Sequence, residues 1–281
     1  MNVVSLLKYS SYKNDDLLEA IDKSCKNISF NPSNLAGARI AVKPNLLTAA
    51  SPESGVTTHP DFFHAVIHYI KEYRGIPVLV ESPAFLNIDR VLRKCGYEEI
   101  VKKEKILIAD TTKTLLIKND YGIKYKSFHV AEDIVKSDFI FNLPKLKTHS
   151  LTYFTGAVKN LFGSIHGLEK SKWHVKTENE REFMSFILDL YGSFLYSKKD
   201  RIISIMDGIL GLEGEGPGKS GKPVFSDAVI AGLDAISVDI VAGTVAGLDV
   251  SKIILCIEGE KRNLGVSSIE KINIVGASLT D

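Results

Sequence analysis

The run "RIAVKPN", Arg39 to Asn45, leads through a polar stretch into "HPDFFHAVIHYIKEYRG", His59 to Gly75, and on into "IPVLVES", Ile76 to Ser82. The outer two runs are short, apolar and rich in Val and Ile, as strands buried on both faces are. In the middle run Phe63, Val66, Ile67 and Ile70 fall at i, i+3, i+4 and i+7, with Pro60 near the start and Gly75 at the end, which predicts a helix. The same alternation continues in both directions. Strands are predicted at Val3–Leu7, Arg39–Lys43, Ile76–Glu81, Ile106–Asp110, Phe139–Leu143, Ile202–Met206, Ala228–Ala231 and Ile272–Val275. Further helices are predicted at Asp16–Lys26, Ile88–Cys95, Gly156–Ile165, Glu180–Tyr196 and Ala235–Ala246. Strands interleaved with helices argue for an α/β fold, with a mostly parallel or mixed sheet flanked by helices.

Two segments break the alternation. "TTKTLLIKNDYGIKYKSFHV", Thr111 to Val130, alternates on either side of "NDYG" and reads as an inserted β-hairpin covering one sheet edge. "GLEGEGPGKSGKP", Gly211 to Pro223, has five glycines and two prolines and reads as a long irregular loop. No repeat, low-complexity tract or linker divides the chain, so residues 1–281 are expected to form a single domain.

Composition narrows the function classes. The 281 residues are 44% hydrophobic and 25% charged, enough to bury a sizeable core. With 35 basic and 34 acidic side chains the formal charge is +1, so no global field draws the chain to nucleic acid or to an anionic membrane. Three scattered cysteines, Cys25, Cys95 and Cys256, with no CxxC pair, fit a reducing compartment and exclude an iron–sulfur cluster held by this chain. The N-terminus has no signal-peptide pattern, and the apolar run Ala228 to Val250 includes Asp234, Asp239 and Asp249, too many carboxylates for a membrane span. A cytoplasmic, soluble protein is expected.

The chemistry-bearing residues gather at strand ends, where ligands bind in open α/β sheets. The strand Arg39–Lys43 delivers Lys43 and then Asn45, and Phe139–Leu143 feeds Lys145, Lys147 and His149 into what reads as a loop. In "TGAVKNLFGSI", Val158, Leu161, Phe162 and Ile165 form an apolar stripe that leaves Lys159 and Asn160 off it. The helix opening at Thr155 and Gly156 would present free amides to an anion. Between Asn142 and Lys176 six lysines face one glutamate, a local excess of five positive charges that a carboxylate or phosphate ligand would neutralise. Asp207, with Glu213, Glu215 and Asp227, would supply oxygen ligands to a hard cation or pair with a lysine, and charge pairing is the simpler reading. "GKS" at Gly218–Ser220 fails as a phosphate loop, because Glu213 stands where the first glycine is required and extended chain follows. His64 and His68 have the i, i+4 spacing of a helical metal pair, but without an HExxH context they are assigned to a solvated face.

At "VKPNL", "NLPKLKTH", "TGAVKNLFG" and "MDGI…EGEGPG" the sequence resembles the domain of unknown function 362 family, over most of the chain. Many members of that family carry a ferredoxin module whose cysteines this chain lacks, so a redox role would need a separate ferredoxin-like partner. The chain is more distantly similar to the nickel-pincer lactate racemase family, in the order and near-spacing of His149, Lys159 and His174. That resemblance implies His149 as a proton-transfer base, Lys159 as the anchor of a metal-containing, nickel-pincer-type cofactor or of a carbonyl, and His174 as a metal ligand. Glu81 and Ser82 stand where that family supplies a second catalytic histidine.

Two readings follow. In the first, a small-molecule enzyme binds an anion through Lys43, Asn45, Lys145, Lys147 and Asn160, with His149 and Lys159 catalytic and His174 or Asp207 at a metal. In the second, the basic segment of a non-catalytic anion-binding or electron-transfer protein docks an acidic partner. An enzyme requires those side chains to converge, and a docking surface requires them spread on a face.

Overall fold

A computed structural model describes residues 2–279 except 84, 85, 151, 168, 171, 172, 174–176, 178, 199, 217 and 219. The strands are β1 (Asn2–Lys8), β2 (Arg39–Pro44), β3 (Ile76–Leu79), β4 (Leu107–Ile108), β5 (Thr114–Lys118), β6 (Ser127–Ala131), β7 (Phe139–Leu143), β8 (Lys145–His149), β9 (Tyr153–Thr155), β10 (Ile202–Gly214), β11 (Gly221–Gly232) and β12 (Ile272–Gly276). The α-helices are α1 (Asn14–Asn27), α2 (Pro60–Glu72), α3 (Ile88–Lys94), α4 (Glu98–Lys103), α5 (Glu132–Lys136), α6 (Ala157–Asn160), α7 (Glu180–Lys198), α8 (Ala235–Val245) and α9 (Ile254–Lys261).

Ten strands make one sheet in the order β12-β1-β11-β10-β7-β2-β3-β4, with β8 paired to β10 and to β9. Its neighbours run parallel except β11, which opposes both β1 and β10, and β9, which opposes β8. Each strand feeds both faces, because successive side chains point to opposite sides. Ile40, Val42, Leu79 and Phe141 join one core with Leu17 and Ile21 of α1 and Phe63, Val66, Ile67 and Ile70 of α2. Ala41, Val78 and Ile140 join the other, with Phe186 and Leu190 of α7 and Ile236 and Ile240 of α8. The predicted α/β architecture is therefore the observed one.

Four local expectations are corrected. Gly211 to Pro223 is not an irregular loop: β10 and β11 continue into it, pairing Gly211 with Val224 and Gly214 with Gly221. Glycines lower strand propensity, but ladder pairing to a neighbour already in place overrides it. Lys145–His149 is likewise strand β8 rather than loop. Pro144 offers no N–H to a ladder, so it breaks one long strand into β7 and β8, and its carbonyl accepts the Asp207 amide at 2.9 Å. The predicted helix Gly156–Ile165 is the single turn α6 followed by 3-10 turn Leu161–Ser164. The hairpin β5–β6 forms its own two-stranded sheet packed on α7, where Phe128 meets Phe186 at 5.4 Å between ring centroids, rather than covering a sheet edge.

Candidate active site

The break at Pro144 sets the site. β10 pairs with β7 up to Asn142, then with β8 from Lys145 on, while β2 ends opposite Leu143. The chain ends Lys43–Asn45, Asn142–Lys147 and Asp207 thus meet in one region. A tight set of hydrogen bonds joins them. Lys147 Nζ donates to Asn45 Oδ1 and to the Val56 carbonyl, both at 2.8 Å. Asn45 Nδ2 donates to Asn160 Oδ1 at 3.0 Å, and Asn160 Nδ2 donates to Asn142 Oδ1 at 2.8 Å and to the Lys43 carbonyl at 3.1 Å.

Two buried ion pairs flank this amide chain. Lys43 Nζ lies 2.6 Å from Glu81 Oε2, with both side chains at most 5% exposed, and Lys170 approaches Glu81 Oε1 at 3.7 Å. The Lys43–Glu81 pair fits only because residue 163 is glycine, since a Cβ there would stand 2.4 Å from Lys43 Nζ and 2.9 Å from Glu81 Oε1. On the other side Lys145 Nζ lies 2.7 Å from Asp207 Oδ2, and both side chains are fully buried. Tyr12 donates to Asp207 Oδ1 at 2.8 Å, the His59 amide donates to Oδ2 at 2.9 Å, and the Tyr12 and His59 rings stack at 3.8 Å. Both Asp207 oxygens are committed, and Asp207 belongs to no three-residue group with metal-ligand spacing among the described residues. The metal role expected of Asp207 gives way to charge pairing. His174, the other expected metal ligand, lies outside the described residues.

The remaining two lysines differ from those in ion pairs. Lys147 and Lys159 have no carboxylate within ion-pair distance among the described residues, and Lys159 Nζ donates only to Thr152 Oγ1 at 3.2 Å among the bonds resolved. Burial, with Lys145 and Lys43 nearby, pulls the Lys147 ammonium down to about 7 against the raising influence of Glu81. Burial and then the Lys147 charge hold Lys159 well below the usual lysine range. Burial also lowers Lys170 to about 8, opposed by Glu81. Burial alone would raise Glu81, but Lys43 and Lys170 outweigh it and hold the carboxyl below its ordinary value.

His149 closes β8, and its Nδ1 accepts the Thr152 amide at 3.2 Å. With that contact made, the neutral tautomer carries its proton on Nε2. The helix start expected to hold an anion is filled by the chain itself: Asp239 of α8 accepts the Ala157 amide at 2.5 Å and the Val158 amide at 3.1 Å. Gly156 permits this, because a Cβ there would stand 2.0 Å from Asp239 Oδ1. Burial raises the Asp239 carboxyl to about 7 against those two amides. Sequence reasoning missed Tyr12, His59 and Asp239 as members of the region. An aspartate inside the apolar run Ala228 to Val250 was the one available signal, since a carboxylate buried there needs donors.

The structure is similar to that of the lactate racemase apoprotein from Thermoanaerobacterium thermosaccharolyticum, with a TM-score of 0.50 over 84% of this chain at 12% identity. This chain covers 55% of that protein's length, and the likeness is one of fold. The sequence is 29% identical over 274 residues to a thylakoid-associated protein, sll1697, of Synechocystis sp., covering 95% of this chain and 81% of the relative. No helix among the described residues is long and apolar enough to cross a membrane. The family model for a domain of unknown function, DUF362, matches residues 40–244, which hold β2, β7, β8, α6 and the whole network around Asn160, and the chain belongs to that family.

Proposed function

We propose that the protein is an enzyme acting on a small carboxylate- or phosphate-bearing substrate held at Lys147 and Lys159. The observation that carries this reading is the imbalance of buried charge. Of five buried lysines, Lys43, Lys145 and Lys170 share two carboxylates, Glu81 and Asp207, while Lys147 and Lys159 have none among the described residues and are both held below their ordinary ionisation by burial. A buried cation without a counter-charge is costly, so an incoming anion gains what the apo site lacks. Lys43 and Lys145 are taken up by Glu81 and Asp207, and Asn45, bonded in turn to Asn160, fixes Lys147. The burial of Lys43, Lys145 and Lys147, each at most 2% exposed, argues against these lysines as a docking face for a ferredoxin-like partner.

His149 is the proton-carrying group of this proposal. While the Thr152 amide occupies Nδ1, abstraction of a proton at that nitrogen would require the ring to release it. In its neutral form Lys159, which no described carboxylate claims, would instead serve as a cofactor tether, leaving Lys147 as the anion's cation. A metal-bearing cofactor bound there would supply the electron-accepting centre that the side chains lack.

The test is titration calorimetry of the full chain with inorganic phosphate and with short-chain 2-hydroxy carboxylates at pH 6 and pH 8.5. Binding should be saturable and weaken up to ~10-fold per pH unit above 7, as Lys147 loses its proton. Lys147→Met should abolish that pH dependence. Absence of saturable binding by any of these anions, or binding indifferent to Lys147→Met and Lys159→Met, would remove the reading.

A further inference from the structure

A second polar group lies on α2, apart from the lysine network. His64 and His68 sit one turn apart on that helix, with ring centroids 4.4 Å apart. Glu104, the C-cap that follows α4, reaches toward both: its Oε1 is 3.3 Å from His64 Nε2 and 3.6 Å from His68 Nε2. One ligand atom from each of the three lies within 4.8 Å of the others. A tetrahedral ion bonded at about 2.0–2.2 Å to imidazole nitrogen and carboxylate oxygen has ligand-to-ligand edges of roughly 3.3–3.6 Å. Both His–Glu distances already match that edge, and the two imidazole ligand atoms lie within 4.8 Å of each other.

The surroundings favour ligation over a simple hydrogen-bond cluster. Glu104 Oε2 is held by Lys71 Nζ at 2.8 Å, and the same ammonium donates to the Glu104 backbone carbonyl at 2.5 Å. One carboxylate oxygen is thereby anchored and the other is aimed at the two rings, as the outer partners of metal ligands do. The side chains of His64 and Glu104 are 13% exposed and that of His68 is 38% exposed, which leaves an approach from the solvent on the His68 side. The solvated-face assignment of the two histidines is thus replaced by a half-buried cluster.

We propose that His64, His68 and Glu104 bind one divalent transition-metal ion of the zinc, nickel or copper class. Two imidazoles and one carboxylate suit such ions. Calcium and magnesium require more oxygen ligands than the group supplies, and Lys71 offsets the single negative charge that would attract them. The bound ion would fasten α2 to the end of α4 and so steady β4, the two-residue strand at the sheet edge that follows Glu104.

The experiment uses the untagged full chain, stripped with EDTA and titrated with zinc chloride, with bound ion counted after equilibrium dialysis and the melting temperature followed in parallel. One zinc per chain should be retained by this site, with a raised melting temperature, and calcium chloride should produce neither effect. The double substitution His64→Ala, His68→Ala should weaken zinc binding at least tenfold and remove the thermal shift, and Glu104→Gln, which keeps the shape but not the charge, should weaken it as well. Lys71→Met removes the ammonium that anchors Glu104 and should weaken zinc binding about tenfold, as loss of an outer partner does. No zinc retained by the wild type, or retention and thermal shift unchanged in both the double histidine variant and Glu104→Gln, overturns the proposal.

Discussion

At the scale of single residues, Lys147 shows how position rather than identity sets chemistry. The residue is 2% exposed and its ammonium feels two other lysines, while its hydrogen-bond acceptors, Asn45 Oδ1 and the Val56 carbonyl, carry no full charge. Its ordinary ionisation near 10.5 falls to about 7 in the folded chain. Between those pH values the unfolded chain binds more protons, so the contribution of Lys147 makes stability rise with pH from about 7 to 10.5, and its cost is fully present below 7. Replacing it by the apolar Lys147→Met should remove a slope of up to ~1.4 kcal/mol per pH unit within that window. Urea unfolding of wild type and variant at pH 6, 8 and 9.5 checks this: the variant should be the more stable at pH 6, with the difference shrinking at 9.5, and a difference independent of pH would show that Lys147 is not depressed. That Lys43, Asn45, Lys145, Lys147 and Asn160 belong together was legible from two strand ends carrying the same residue types. Which lysine pairs with which carboxylate was not, because Glu81 and Asp207 come from strands whose neighbours only the sheet order defines.

At the scale of elements, periodicity located strands and helices but not what they lean on. The hairpin β5–β6 was readable from its alternation around "NDYG", whereas its anchor was not. Asp189, 3% exposed in α7, accepts the backbone amides of Ile123, Lys124 and Tyr125 at 2.9–3.0 Å and faces Arg262 at 3.3 Å. Asp189→Ala leaves those three amides without their acceptor and should cost about 3 kcal/mol, concentrated in the hairpin turn. Hydrogen exchange should then accelerate at residues 119–128 well before the strands of the main sheet, and a uniform change across the chain would show that Asp189 does not hold the hairpin. The glycine-rich segment after Gly211 was misread for a related reason. Propensity is local, but a strand such as β10 is prolonged by the ladder of β11 beside it.

At the scale of the whole molecule, one sheet separates two cores and contributes alternate residues to both. Ala41, Val78 and Ile140 pack on one side, and Ile40, Val42, Leu79 and Phe141 on the other, so neither core can melt while the other keeps its strands. β12 near the end of the chain pairs in parallel with β1 near its start, which ties the last strand to the first. Calorimetry should therefore find a single transition whose calorimetric and van't Hoff enthalpies agree, and two resolved transitions would mean independently folding units. By itself the sequence determined the α/β class, most of the long strands and helices and the residue types available at the strand ends, because apolar periodicity and turn residues act over a few positions. Only the tertiary structure decided that Lys43 meets Glu81, that Lys145 meets Asp207, and that Lys147 and Lys159 are left without a described carboxylate, because charge pairing depends on distances across strands far apart in the chain.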